Sequence, residues 1–280
     1  MKKLAKVAVA TILAASTACA FASCDKRIAI GVQSGTTGQY FVDGDADWGF
    51  DGLTGYKSKG YTSGGLAVND LKNGNVKYVI IDQMPAKELD EAIEGIKVID
   101  IPLTEEEYAF GVDKAQPQLL ADVNAILESP AFATKYAEIL LAYATGVGIT
   151  PVTSAAEDVS NPDGQLVVAT NAEFAPFEYK VGNKFAGIDM EIAAYVASEL
   201  GMELVIKNMD FEAVVTSVGV NGIDIAMAGL TVDETRKQSV NFTVSYYDAA
   251  QVLITLDGDT NFDDCTTAED VIAKLEALAK

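Results

Sequence analysis

The chain has 280 residues, enough for one large or two medium domains. Of these, 49% are hydrophobic, which argues for an ordinary globular core rather than disorder, and a formal net charge of −21 argues against nucleic acid and anionic membrane surfaces as partners. Histidine is absent and cysteine occurs three times, so His-based acid–base work, Ser-His-Asp triads and metal sites are not expected.

The chain opens on a predicted signal peptide, residues 1–22. Met1-Lys2-Lys3 is followed by a small, apolar run and an A-x-A cleavage site at Ala20-Phe21-Ala22. Lys6, Ser16 and Thr17 interrupt that run, so it reads as cleavable rather than spanning, and no later stretch is long enough to span a bilayer. Cys19 leaves with this leader. Three readings stand equally for Cys24: a lipid anchor, a disulfide with Cys265, or a free thiol.

Beyond the leader, predicted strands and helices alternate. Strands are expected at 27–33, 76–82, 96–101, 166–170, 203–207, 223–228 and 250–255. Several are continuous and β-branched, as in strands covered on both faces. Helices are expected at 66–73, 85–94, 116–128, 131–143, 187–200, 213–220, 231–239 and 267–279. In 187–200, Ile188, Ile192, Tyr195, Val196 and Leu200 share one face and Gly201 is a stop. The alternation predicts α/β architecture with mostly parallel sheets. The run 146–164 is rich in small residues, Pro, Ser and Asp, and reads as a linker between the halves 25–145 and 165–280.

Ligands in open α/β sheets bind beyond the carboxyl ends of strands, and four such ends carry candidate chemistry. Residues 34–38, SGTTG, bring free backbone N–H groups and the hydroxyls of Thr36 and Thr37; this is an anion site or simply a capped helix start. Asp82 ends an apolar strand, either as a helix cap or as a fixed counter-charge. Phe174 and Phe177 follow another strand end, as core or as pocket wall. After Gly229, Thr231 and Glu234 form a predicted capping box, and Arg236 lies in the first turns of that helix, as a surface residue or as a fork for a carboxylate. Taken together, Arg236 and the N–H groups suit a carboxylate, Asp82 suits an ammonium, and the rings suit what lies between: the pattern of a zwitterion.

The run LVVATNAEFAPFEYKVGNKFAGIDMEIAAYVASELG with DIAMAGLTVDETRKQSVNFTVSYYDAAQVLIT resembles the first lobe of the family 3 extracellular solute-binding proteins, the polar amino-acid-binding components of ABC transporters. IGVQSGTTGQYF, GGLAVNDLKNGNVKYVIIDQMPAKEL and IPLTEEEYAFGVDKAQPQLLADVNAIL resemble that family's second lobe and return. The resemblance implies a two-lobed, type II periplasmic-binding-protein-like fold. Here the GTTG lobe precedes the arginine lobe, which implies a circularly permuted order or a rearranged gene. The implied division is 25–101 for lobe 2, completed by 259–280; 102–145 for a hinge return and helices packing on lobe 1; 146–164 for the tether; and 165–258 for lobe 1 and hinge. Crossing segments are expected near 102–112 and 246–256.

By position, Arg236 is then the expected carboxylate clamp, helped by Thr231, the backbone at Gly229, Thr36 and Thr37. Asp82 is the ammonium partner. Phe174, Phe177 and Phe211 wall the side-chain pocket, Glu173 meets a cationic side chain or makes a structural contact, and Asp189 is structural. The implied function is capture of a polar amino acid by lobe closure and delivery to an ABC permease, by an exported monomer needing no cofactor. A sensory module and a dehydratase-like enzyme on the same fold are the rival readings.

Overall fold

The computed structural model describes residues 25–158, 160–161 and 164–280. The expected leader and Cys24 therefore lie outside the described residues, and with them the question of a Cys24–Cys265 bond.

The chain begins with β1 (Ile28–Gln33), α1 (Thr37–Asp43), β2 (Tyr56–Tyr61), α2 (Gly64–Lys72), β3 (Tyr78–Asp82), α3 (Gln83–Ala92) and β4 (Ile96–Ile99). It crosses through β5 (Glu106–Tyr108) into β6 (Gly111–Asp113), α4 (Pro117–Leu127) and α5 (Pro130–Thr145). The second half runs through β7 (Gln165–Thr170), β8 (Glu173–Phe174), β9 (Glu178–Val181), β10 (Lys184–Ala186), α6 (Ile188–Leu200), β11 (Glu203–Asn208), α7 (Phe211–Ser217), β12 (Ile225–Ala226) and β13 (Val240–Phe242). It crosses back through β14 (Tyr247–Ala249) into β15 (Gln251–Leu256) and ends in α8 (Ala268–Leu278).

Two five-stranded sheets result, ordered β2-β1-β3-β15-β4 and β11-β7-β12-β6-β13. In each, four strands are mutually parallel and the remaining one, fourth in the sheet order and supplied by the other half of the chain, runs antiparallel to both its neighbours. Every residue of β3 and β7 is buried, which is why these segments read as unbroken apolar runs. Two lobes follow, here called the Asp82 lobe and the Arg236 lobe. They are joined by an antiparallel ribbon of β5 and β14, in which Tyr108 faces Tyr247. The strand order and the double crossing are those of a two-lobed, type II binding-protein fold.

Local signals explain most helix ends. Ser129 caps α5 by accepting the Phe132 N–H, with Pro130 in the first turn. Gly201 stops α6 in a left-handed conformation at φ 69°. Thr267 and Asp270 form a reciprocal capping box on α8.

Two expectations are corrected. The helix at 231–239 reduces to a single 3-10 turn, Arg236–Gln238, and the Thr231–Glu234 capping box does not form. Asp233 takes over instead: its Oδ1 accepts the N–H groups of Thr235 at 2.7 Å and Arg236 at 2.9 Å, turning the chain locally. The chain also re-enters the Asp82 lobe at β15, earlier than residue 259, because β15 fills the slot between β3 and β4. The small-residue run is tied down over its described part. Val152 and Phe185 exchange backbone hydrogen bonds, the Ala155 N–H donates to Leu204, and the Ile206 N–H donates to the Ser154 hydroxyl, so this run lies along the Arg236 lobe. Strand β2 is absent from the expected elements: YKSKGY has no apolar run, yet it pairs with β1 over six residues.

Candidate functional site between the lobes

The carboxyl ends of β1 and β3 face those of β7 and β12 across the cleft. The space enclosed there is lined by Gln33, Thr36, Thr37 and Asp82 from one lobe and Phe174, Phe211, Gly229, Thr231 and Arg236 from the other. Its volume is about 10 Å³, close to the room for one water. Arg236 and Asp82, read from motifs more than 150 residues apart in sequence, thus line one cavity.

Arg236 is 9% exposed and held on three sides. Its Nη1 donates to the Thr231 carbonyl at 2.8 Å, its Nη2 donates to the Gly35 carbonyl of the opposite lobe at 3.1 Å, and its Nε lies 3.4 Å from Asp233 Oδ2. A guanidinium has five N–H donors; two are hydrogen-bonded and Nε is only ion-paired, so the second N–H of each Nη remains for a ligand. The rings of Trp48 and Phe211 flank it at 5.1 and 5.4 Å from Cζ.

Asp82 is 5% exposed. It sits at the N-cap position of α3 but makes no capping hydrogen bond, which removes the helix-cap reading. Its Oδ1 instead accepts a short hydrogen bond from the Tyr108 hydroxyl and one from Gln251 Nε2 at 2.9 Å. Burial, and then the Glu106 charge, push its pKa up to about 7, against the pull of those two donors. Burial and the Asp82 charge raise the Tyr108 phenol far above its ordinary range, so Tyr108 stays protonated and remains the donor.

The hydroxyls and backbone groups expected to assist Arg236 are committed elsewhere. Thr37 and Thr231, one from each lobe, both donate to Oε2 of Glu106, at 2.8 and 2.6 Å. Glu106 Oε1 accepts from Thr104 and from Gln251 Nε2. The Thr36 hydroxyl donates to its own lobe's Gln33 carbonyl at 2.8 Å. The Gly229 N–H donates to Asp189 Oδ2 at 2.9 Å, while Tyr246 donates to Oδ1 of the same carboxylate. Asp189 thus fixes the turn at Gly229. With that N–H taken, the Gly229 backbone is no donor to a ligand carboxylate. It must be glycine, because its φ is 54° and a Cβ there would lie 2.8 Å from Phe174.

Of the aromatic residues, Phe174 and Phe211 line the cavity. Phe177 lies behind it, edge-on to Tyr108 at 5.2 Å and to Tyr247 at 5.0 Å. Glu173 is exposed and lines no part of the cavity, because alternation along β8 turns it away from buried Phe174.

Four participants are not among the expected site residues, although Gln33, Asn171 and Glu106 fall within the runs that carry the resemblance. Gln33 is 2% exposed; its Nε2 donates to Asn171 Oδ1 across the cleft at 2.9 Å, and its Oε1 has no partner among the described residues. Asn171 is oriented in turn by donating to the Met209 carbonyl. Glu106, in the crossing ribbon, ties both lobes to the hinge, and Trp48 reaches Arg236. The position of Gln33 at a strand end is a visible signal. Nothing local marks Trp48. Near Asp82, Glu178 is fully buried with both oxygens unpartnered among the described residues; burial, with the charges of Asp189 and Asp82, raises its pKa well above the usual carboxylate range.

On one side the cleft opens into a mouth lined by Asp47, Glu105, Glu106, Glu107, Asp233, Glu234 and Asp248, with no basic residue. Among the described residues no His/Cys/Asp/Glu group has metal-site geometry.

A two-lobed fold with oppositely charged side chains brought to one interlobe cavity is the arrangement of the type II periplasmic-binding-protein fold. Residues 166–278 match the bacterial extracellular solute-binding proteins, family 3. An arginine-binding extracellular protein of Bacillus subtilis (strain 168) is 29% identical over 43% of this chain and 47% of its own length. A probable histidine-binding protein of Neisseria gonorrhoeae is 32% identical over 36% of this chain and 38% of its own. A cyclohexadienyl dehydratase of Pseudomonas aeruginosa is 30% identical over 33% of this chain and 35% of its own. The chain thus spans less than half the length of these relatives. No helix among the described residues is long and apolar enough to cross a membrane.

Proposed function

We propose that this chain captures a zwitterionic amino acid by closing its lobes over it and delivers it to the membrane permease of an ABC importer. The observation that carries this is the placement of Arg236 and Asp82 on different lobes but in one cavity. The two free N–H groups of Arg236 receive the α-carboxylate and ionised Asp82 receives the α-ammonium, so one small molecule satisfies both only when the lobes meet. Binding then shifts the open–closed equilibrium by its differential affinity for the closed form. Glu173 is removed from the cavity, and Arg236 and Asp82 are its only charged linings, so the side chain carried is neutral. Gln33 Oε1, an acceptor without a partner among the described residues, favours a side chain ending in an N–H or O–H donor.

The same reading carries export behind residues 1–22 and a permuted lobe order. The family match begins at the middle of the chain and runs to residue 278, while the preceding half completes the second lobe. A thermal-shift screen of the twenty amino acids tests the central claim. The expected result is a raised melting temperature for a few polar, neutral amino acids. A flat response to all twenty rejects it. The dehydratase relative raises an enzymatic alternative, which the same samples decide: ligand recovered unchanged supports capture, and conversion overturns it.

A further inference from the structure

The loop between α1 and β2 is a built arm, not slack chain. Gly44 and Gly52, at φ 82° and 81°, pass so close that a Cβ on Gly44 would lie 2.8 Å from the Asp51 carbonyl oxygen, and one on Gly52 2.8 Å from the Gly44 nitrogen. Inside this pinch Asp45 and Phe50 exchange backbone hydrogen bonds of 2.9 Å, and Asp45 Oδ1 accepts the N–H groups of Asp47 and Trp48. Phe50 packs edge-on against Phe41 of the Asp82 lobe's core at 5.5 Å, and Tyr40 stacks on Trp48 at 4.7 Å and 20°. The arm is therefore fixed within its own lobe. What it presents to the other lobe is the ring of Trp48, 5.1 Å from the Arg236 guanidinium carbon.

We infer that Trp48 is a positioning residue that latches the closed form: its ring stacks on the guanidinium of Arg236 across the cleft and, with Phe211, leaves only that group's edge for a ligand carboxylate. The inference rests on the capture reading above. Arginine stacks on aromatic faces, and the attraction grows as water is excluded. An open form would separate Trp48 from Arg236, since the two belong to different lobes. The stack is thus gained on closure, and its loss speeds release more than it slows capture.

The probe is an equimolar mixture of the twenty ¹⁴C-labelled amino acids, trapped on wild-type protein and chased with unlabelled mixture. Trp48→Ala is expected to release label on the order of ten-fold faster, and Trp48→Phe within about two-fold of wild type, because a ring restores the stack. A Trp48→Ala variant with the wild-type release rate, or a Trp48→Phe variant no slower than Trp48→Ala, overturns the latch. If wild-type protein takes up no label, it is the capture reading that fails, and the latch falls with it. Trp48 is the only tryptophan, so tryptophan emission reports its surroundings, the Tyr40 stack and the Arg236 contact. Acrylamide quenching of wild type that falls when the unlabelled amino-acid mixture is added supports the stack, and quenching unchanged by a mixture that is taken up overturns it.

Discussion

The two lobes share a strand order and a borrowed antiparallel strand, but they solve opposite electrostatic problems. The Arg236 lobe must keep a cation buried. Its own Thr231 carbonyl, Asp233 carboxylate and Phe211 ring hold the guanidinium, and the Gly35 carbonyl and Trp48 ring of the other lobe complete the enclosure when the cleft is closed. The Asp82 lobe must keep an anion buried and supplies only two donors, Tyr108 and Gln251, while placing Glu106 nearby. With the lobes together the protein alone nearly satisfies the cation, and the anion is not so served. A ligand ammonium is therefore worth most at Asp82, and that end is the one sensitive to pH.

The largest expected effect comes from the cation side. Arg236→Gln removes charge-assisted bonds worth about 1.5–3 kcal/mol each, so affinity for the best amino acid in calorimetry falls by at least ~100-fold. An affinity within a few-fold of wild type would break the asymmetry outright. Next, Gly229→Ala forces a Cβ onto Phe174 at a left-handed backbone and lowers stability by about 2 kcal/mol in urea unfolding.

The anion side predicts a pH dependence. Ionised Asp82 is the ammonium's partner and its pKa stands near 7, so affinity drops below pH 7, approaching about ten-fold per pH unit. The stability sign is opposite. With the folded pKa raised from 3.8 to about 7, the folded state keeps a proton that the unfolded chain has lost within that window. Stability from this group therefore falls as pH rises from about 4 to about 7. Asp189, raised by burial to about 7, adds a fall of its own. Asp82→Asn should remove its share, gaining about 2 kcal/mol near pH 8 while losing ligand; melting curves at pH 4 and 8 test the sign.

Glu106→Gln sharpens the same contrast. Removing a charge that raises the Asp82 pKa shifts the midpoint of the binding-versus-pH curve downward, read by titration over pH 5–8. Gln33→Leu is the smallest effect expected: a few-fold loss for donor-bearing side chains over alanine, seen as a reordered thermal-shift ranking.

Much of the fold and part of the site are legible in the order of residues. The alternation of apolar runs with 3.6-period segments predicts an α/β chain, and the helices of high periodicity fall within a few residues of their observed ends. Arg236, Asp82, Phe174 and Phe211 are marked by sitting just past strand ends or in family motifs. Thr231 misleads because T-x-x-E satisfies a local pattern, while the chain there is claimed by Asp233 and by the Glu106 carboxylate 125 residues away. Glu173 misleads because its charge suggests a ligand contact, whereas the two-residue alternation of its strand turns it outward.

Local chemistry, then, decides most of the longer strands and helices and which polar groups stand at their ends, because those depend on neighbours within a few residues, while β2 and the 231–239 segment answer to distant partners. What only the tertiary structure decides is who meets whom across the cleft. The Gln33–Asn171 bond joins residues 138 apart, the Arg236–Gly35 bond joins residues 201 apart, and Trp48 finds Arg236 from the other lobe. Such pairings follow from how two lobes exchange strands and fold toward each other, a property of the whole chain that no local window contains.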